Sequence, residues 1–158
     1  MKNYFEIFAF TPSFEIDLDE LEKKYLEFQK EFHPDNASTA DIEQSIAINE
    51  AYKILKNSLS RASYILQLNG IDLENDSNAP KPDMATLEEI LELQEQVAEI
   101  AVGEIENLKK ELNLKIKSLL EKAALELAAQ DFKKAAQVLI KAKYFDKTLR
   151  DLKAKKRN

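Results

Sequence analysis

YLEFQKEFHPDNASTADIEQSIAINEAY, residues 25 to 52, sets two apolar-periodic segments on either side of a single proline. Leu21, Tyr25, Phe28 and Phe32 recur at the three- and four-residue spacing of one helix face, and Asp17 is placed to cap that helix with Glu20 three residues on. The helix must stop at His33, because the ring of Pro34 disfavours the α conformation in the residue before it. Asn36, Ala37, Ser38 and Thr39 form a polar loop, and Asp41 is placed to start a second helix carrying Ile42, Ile48, Ala51, Tyr52, Leu55 and Leu59. The pattern predicts a helical hairpin with His33, Pro34 and Asp35 at its turn. A short helix from Tyr4 to Phe8 should close the small core. Another turn, starting near Ser60, leads through Tyr64, Ile65 and Leu68 to Gly70, which stands where a left-handed cap belongs.

Composition extends this reading to the whole chain. Two glycines and four prolines in 158 residues, among many Leu, Glu, Lys and Ala, predict mostly helix. With 44% hydrophobic and 33% charged residues the chain is too apolar for disorder and too interrupted by charge for a membrane span. The net charge of -6 argues against nucleic-acid binding, and Lys153, Lys155, Lys156 and Arg157 read as a solvated end. Residues 1–70 hold 12 acids and 7 bases, against 17 and 16 in 71–158, so the acidic excess sits in the first part. Without cysteine there is neither a disulfide nor thiolate ligation. With one histidine and no Gly-rich phosphate loop, no catalytic residue, metal site or cofactor is expected. A helical hydrolase using His33 and Asp35 as an acid–base pair or metal site meets the same shortage of convergent groups. Met1 to Phe10 lacks a basic leader and a small-residue cleavage site, so a cytoplasmic protein is expected.

Glu74 to Asp83 (ENDSNAPKPD) is the strongest break between apolar-periodic segments. Beyond it, segments of roughly Met84 to Val102, Glu104 to Ala129 and Asp131 to Leu152 predict a three-helix bundle, with Asp131 as a cap. The middle segment has one stripe, Ile105, Leu108, Leu112, Ile116, Leu119, Ala123 and Leu127. In the first, Ile90, Leu93, Val97, Ile100 and Ala101 form a core stripe, while Met84, Leu87, Leu91 and Ala98 widen it and Glu88, Glu92, Glu95 and Glu99 edge it. The extra arc serves equally as packing for the third helix or as a docking surface. In the last helix Ala135, Val138, Ala142, Phe145 and Leu149 share a face, and Tyr144 is expected to point away from it as a possible anchor.

Taken singly, His33 reads as a helix-terminal cation and Asp35 as a loop residue bonding its own backbone. Together with Ile48, Asn49, Ala51 and Tyr52 beyond the loop, the segment resembles the J domain. That resemblance implies an all-α fold: an N-terminal J domain over 1–73, a linker over 74–83 and a C-terminal helical bundle over 84–158. It also implies that His33, Pro34 and Asp35 press on the ATPase domain of a DnaK-type (HscA-like) chaperone, with Lys23, Lys24 and Lys30 adding to the contact. Each of these lysines is equally an ordinary member of a charged solvent face, as in the pair Glu20 with Lys24. Asn36 departs from the lysine that commonly follows His-Pro-Asp.

No Gly/Phe-rich linker or cysteine-rich zinc region follows, as a general DnaJ-type chaperone would carry. From Asn3 to about Leu152 the chain, with Arg61, Ala62 and Tyr64, the run Leu91, Glu92, Leu93, Gln94, Glu95 and the later Tyr144, Phe145, Asp146, Lys147, is similar to the HscB family. These co-chaperones bring the iron–sulphur scaffold protein (IscU-like) to a DnaK-like partner. By that similarity Leu87, Leu91, Glu92, Glu95 and Tyr144 would hold the scaffold, with Glu88 where the family often has an apolar residue. The function implied is that of an adaptor for iron–sulphur cluster assembly, with no catalysis of its own. A general J-domain protein for another client and a helical interaction module without chaperone activity are the alternatives.

Overall fold

A computed structural model describes residues 2–32, 39–75 and 77–155, and every regular element among them is helical. The expected hairpin turn, with His33, Pro34 and Asp35, lies outside the described residues. The chain divides into two compact units, Met1–Ile65 and Leu66–Asn158. The first contains α1 (Tyr4–Ile7), α2 (Leu18–Glu31), α3 (Thr39–Lys56) and most of α4 (Ser58–Leu68); the second contains α5 (Met84–Glu99), α6 (Ile105–Ala128) and α7 (Phe132–Lys155).

In the first unit α3 packs against both α1 and α2, and Phe5, Phe8, Leu21, Ile48, Ala51 and Leu55 are buried there. Full burial of a large apolar side chain contributes about 1.5–3 kcal/mol, so these few residues supply most of the drive for so small a core. Asp17 caps α2 as the sequence predicts, its carboxylate accepting from the Asp19 and Glu20 backbone N–H groups. A reciprocal capping box forms instead on α1, between Asn3 and Glu6. Arg61, only 4% exposed, donates from Nε to the Phe14 carbonyl and from a terminal nitrogen to the Leu55 carbonyl, both at 2.7 Å. Its guanidinium also lies 4.8 Å from the Phe14 ring centroid. Burial holds its pKa below the usual arginine value, with Glu15 opposing the shift. Arg61 thus ties α4 to the irregular segment between α1 and α2.

Three details differ from the periodicity. α3 starts at Thr39 and ends at Lys56, so Leu59 belongs to α4, which begins at Ser58; the Asn57 side chain caps it by accepting from the Ser60 N–H. Ile42 is 51% exposed. It stands six residues ahead of the buried Ile48, roughly 120° round the helix, off the stripe formed by Ile48, Ala51 and Leu55. α5 ends at Glu99, where Ile100 turns extended, and Val102–Glu104 form a short 3-10 turn before α6.

Among the described residues, three helices end in the same double hydrogen bond with a left-handed residue, and one of those residues is glycine. After α4, Gly70 (φ 87°) bonds to the Gln67 carbonyl and Ile71 to that of Leu66, as its sequence position predicts. Ala9 (φ 57°) plays this part after α1, and Gln130 (φ 59°) after α6, with Asp131 N–H bonding to the Glu126 carbonyl. A side chain in the left-handed region costs about 1–2 kcal/mol. Gln130→Gly is therefore expected to stabilise the protein by about 1 kcal/mol in chemical denaturation, and an unchanged or lower stability would contradict the strain.

In the second unit α7 packs against both α5 and α6. Leu93, Leu108, Leu112, Phe145, Leu149 and Leu152 form the core, with Val97, Ile100, Ile105, Ile116, Leu119 and Tyr144 packed at its margin. The middle-helix stripe predicted from sequence is thus the face that α6 turns inward. Asp83 caps α5, accepting from the Thr86 N–H, and this bond holds its carboxyl below the usual carboxylate range. The preceding chain lies along α7: the Gln137 amide donates to the Lys81 carbonyl and accepts from the Asp83 N–H, at 2.8 and 2.9 Å. Lys143 pairs with Glu74, and burial lowers the Lys143 pKa while Asp72 opposes the shift.

Candidate functional site

Two surfaces carry the residues singled out in the sequence. The first flanks residues 33–38. The Tyr25 and Tyr52 rings stack with centroids 3.9 Å apart and planes within 4°. The Tyr25 hydroxyl donates to Asn49 Oδ1 and accepts from Gln29 Nε2, both at 2.8 Å. Phe28 meets Phe8 edge-on at 5.7 Å and Phe32 at 6.3 Å. Each part of the pattern read from the sequence now has a physical task. Ile48 and Ala51 are buried, while Asn49 and Tyr52 lock α3 to α2. Stacked aromatic pairs add about 0.5–1.5 kcal/mol beyond their burial.

The three lysines divide. Lys23 and Lys30 are exposed, seven residues apart and so on one face of α2, with the exposed Leu26 between them. Lys24 instead donates to the Phe8 carbonyl at 2.7 Å and lies 4.5 Å from the Phe10 ring centroid. This contact fastens α1 to α2, a role that helix periodicity gives no means of anticipating.

The second surface is on α5 and α7. Leu87 and Leu91 are 38% and 48% exposed, and Met84 is more exposed still. With Gln94 and Ala98 they follow a four-three-four spacing, so they form one outward ridge. Glu88, Glu92, Glu95 and Glu99 repeat that spacing one residue on, giving an acidic ridge beside the apolar one. Lys141 of α7 pairs at 2.9 Å with Glu89 of α5, which stands outside the acidic ridge. Like charges at this spacing oppose the helix by about 0.2–0.5 kcal/mol per pair.

Tyr144 departs from expectation. Instead of pointing away from the core, it is partly buried against the core margin. The reason is that α7 has two neighbours, so its buried arc is wider than the single stripe read from sequence. The ring lines a groove of about 330 Å³ with Gln94, Val97, Ala98, Thr148, Asp151 and Leu152. Tyr144 and the outward ridge of α5 therefore meet at Gln94 and Ala98.

Residues 3–64 match the DnaJ domain and residues 82–153 the HSCB C-terminal oligomerisation domain. A co-chaperone protein HscB homolog from Aeromonas salmonicida is 33% identical over 162 residues, covering 95% of this chain and 94% of that protein. The chain belongs to the HscB co-chaperone family. An HscB homolog from Vibrio vulnificus is 37% identical over 108 residues, a span of 64% of this chain and 63% of that relative. Human HscB superposes with a TM-score of 0.87 at 28% identity, over 99% of this chain and 83% of that one. HscB from Vibrio cholerae gives 0.80 at 29%, over 98% of both. Among the described residues no helix is long and apolar enough to cross a membrane.

Proposed function

We propose that the chain is an adaptor that binds an iron–sulphur scaffold protein on α5 and α7, delivers it to a DnaK-type chaperone and stimulates that chaperone's ATPase. The observation that carries this reading is the exposed Leu87–Leu91 ridge of α5, which meets Tyr144 of α7 in a chain whose first unit matches a DnaJ domain. Adjacent apolar side chains left in solvent on a helix that already buries its own core face form the kind of contiguous patch that marks an interaction surface. Glu92 and Glu95, beside them, supply the polar rim that such an interface carries. On the chaperone side, His33, Pro34 and Asp35 make the contact, Lys23 and Lys30 add to it, and Lys24 supports the fold. Hydrolysis belongs to the chaperone and the cluster to the scaffold; residues 84–158 hold the client, in the cytoplasm.

The test is stimulation of a DnaK-type ATPase with and without apo scaffold protein. Intact protein should stimulate alone and more strongly with scaffold present. Leu91→Ala, at a position 48% exposed, should weaken scaffold binding in calorimetry by about 1–2 kcal/mol while keeping scaffold-independent stimulation and the thermal midpoint. Equal scaffold affinity for Leu91→Ala and the intact chain would move the interface elsewhere.

A further inference from the structure

The groove beside Tyr144 has a floor and ends of different chemistry. Val97, Ala98, Leu152 and the Tyr144 ring make its apolar lining, and the exposed Gln94 and Asp151 stand at its polar positions. Thr148 also lines it, but its hydroxyl is already donated to the Tyr144 carbonyl at 3.0 Å. Among the described residues the Asp151 carboxylate has no ion-pair partner; its neighbour Arg150 turns to Asp146 at 3.2 Å. The Tyr144 hydroxyl likewise has no hydrogen-bond partner among them.

A volume of about 330 Å³ is at the lower limit of small-ligand clefts, which run from about 300 to 1,000 Å³. Gln94 and Ala98 belong both to the outward ridge and to the groove lining, so a partner that covers Leu87 and Leu91 has a continuous surface leading to the groove mouth. An apolar channel with a carboxylate on its wall that no described residue pairs suits a side chain with an aliphatic stem and a cationic end. An aromatic ring along that path adds an attraction for the same cation.

We infer that this groove is a socket for one basic side chain, lysine or arginine, of the scaffold protein. Its stem lies on Val97, Ala98 and the Tyr144 ring, and its charge pairs with Asp151. The socket rests on the scaffold-binding reading and sharpens it: Leu87 and Leu91 give the partner contact area, whereas Asp151 selects a partner that has a cation at this place.

The experiment measures binding of apo scaffold protein to the full-length chain by calorimetry at two salt concentrations, for Asp151→Asn, Ala98→Phe and Leu91→Ala. Ala98→Phe fills the groove from an exposed helix position, and thermal melts establish that each variant is folded. Asp151→Asn should weaken binding about three- to tenfold at low salt and flatten its salt dependence, as loss of one partly exposed charge pair does. Ala98→Phe should weaken it at least as much. If Leu91→Ala weakens binding while both groove variants bind like the intact chain, the socket is wrong and the scaffold reading stands. If all three bind normally, both fall. Self-association of the intact chain that Ala98→Phe abolishes would make a second copy the occupant and overturn the socket.

Discussion

Asp35→Asn is expected to reduce stimulation of the DnaK-type ATPase to the rate of the chaperone alone, with helicity and thermal midpoint unchanged. Asp35 falls in sequence between the end of α2 at Glu31 and the start of α3 at Thr39, and among the described residues these helices are clamped by Tyr25, Asn49 and Tyr52. The amide keeps the shape of the carboxylate and removes its charge. A carboxylate meeting arginine makes two parallel charge-assisted hydrogen bonds, each about twice as strong as a neutral one. Truncating one member of a desolvated charge pair costs about 2–5 kcal/mol, or roughly 30-fold to several thousandfold in affinity. His33→Gln should give a comparable loss. Single-turnover hydrolysis across a range of co-chaperone concentrations is the measurement, and normal stimulation by either variant would remove the chaperone contact from the proposal.

Arg61→Met should produce the largest loss of stability. Methionine replaces the aliphatic stem, but it leaves the Phe14 and Leu55 carbonyls without the donors that reach them at 2.7 Å. An unpaired buried acceptor costs about 1–3 kcal/mol, so the pair accounts for about 2–4 kcal/mol after partial hydration. A unit of this size is stable by only a few kcal/mol, and the melting midpoint of the first unit should fall by about 10–20 °C. Arg61→Lys should recover part of the loss, because a single ammonium reaches one carbonyl well but not two in different directions. A melt of Arg61→Met within a few degrees of the parent would show that water serves both carbonyls.

The sequence makes legible whatever follows from one helix considered alone. The Asp17 cap, the inward stripe of α6 and the Gly70 cap each rest on spacing within a single element, and each is found. Readings that depend on a neighbour fail where the neighbour is unknown. Tyr144 lies off the main stripe of α7, yet it is partly buried against the core margin. Lys24 has the spacing of a solvent-face lysine, yet a carbonyl at the end of α1 and the ring of Phe10 claim it. Ala9 and Gln130 carry no signal at all, since neither residue type favours the left-handed region that the helix ends impose on them. For the candidate site, the exposure of Leu87 and Leu91 was open in the sequence because their arc could equally have been packed. The groove at Asp151 was out of sight, because α5 and α7 are joined there only by the fold.

The bracket that Gln137 places around Lys81 and Asp83 changes how chain statistics apply to the connecting segment. A free flexible run of about ten residues spreads over an end-to-end distance of about 16–19 Å. Here Glu74, Lys81 and Asp83 are each attached to α7, so most of that conformational freedom is already removed. Extra Gly-Ser residues inserted between 75 and 80 would bulge from two fixed points, at the slowly growing entropic cost of closing a longer loop. The same residues inserted ahead of Glu74 would add slack to the chain itself. The stretch from Lys81 to Asp83 is held along α7 by the Gln137 amide, on the same helix that Glu74 reaches through Lys143.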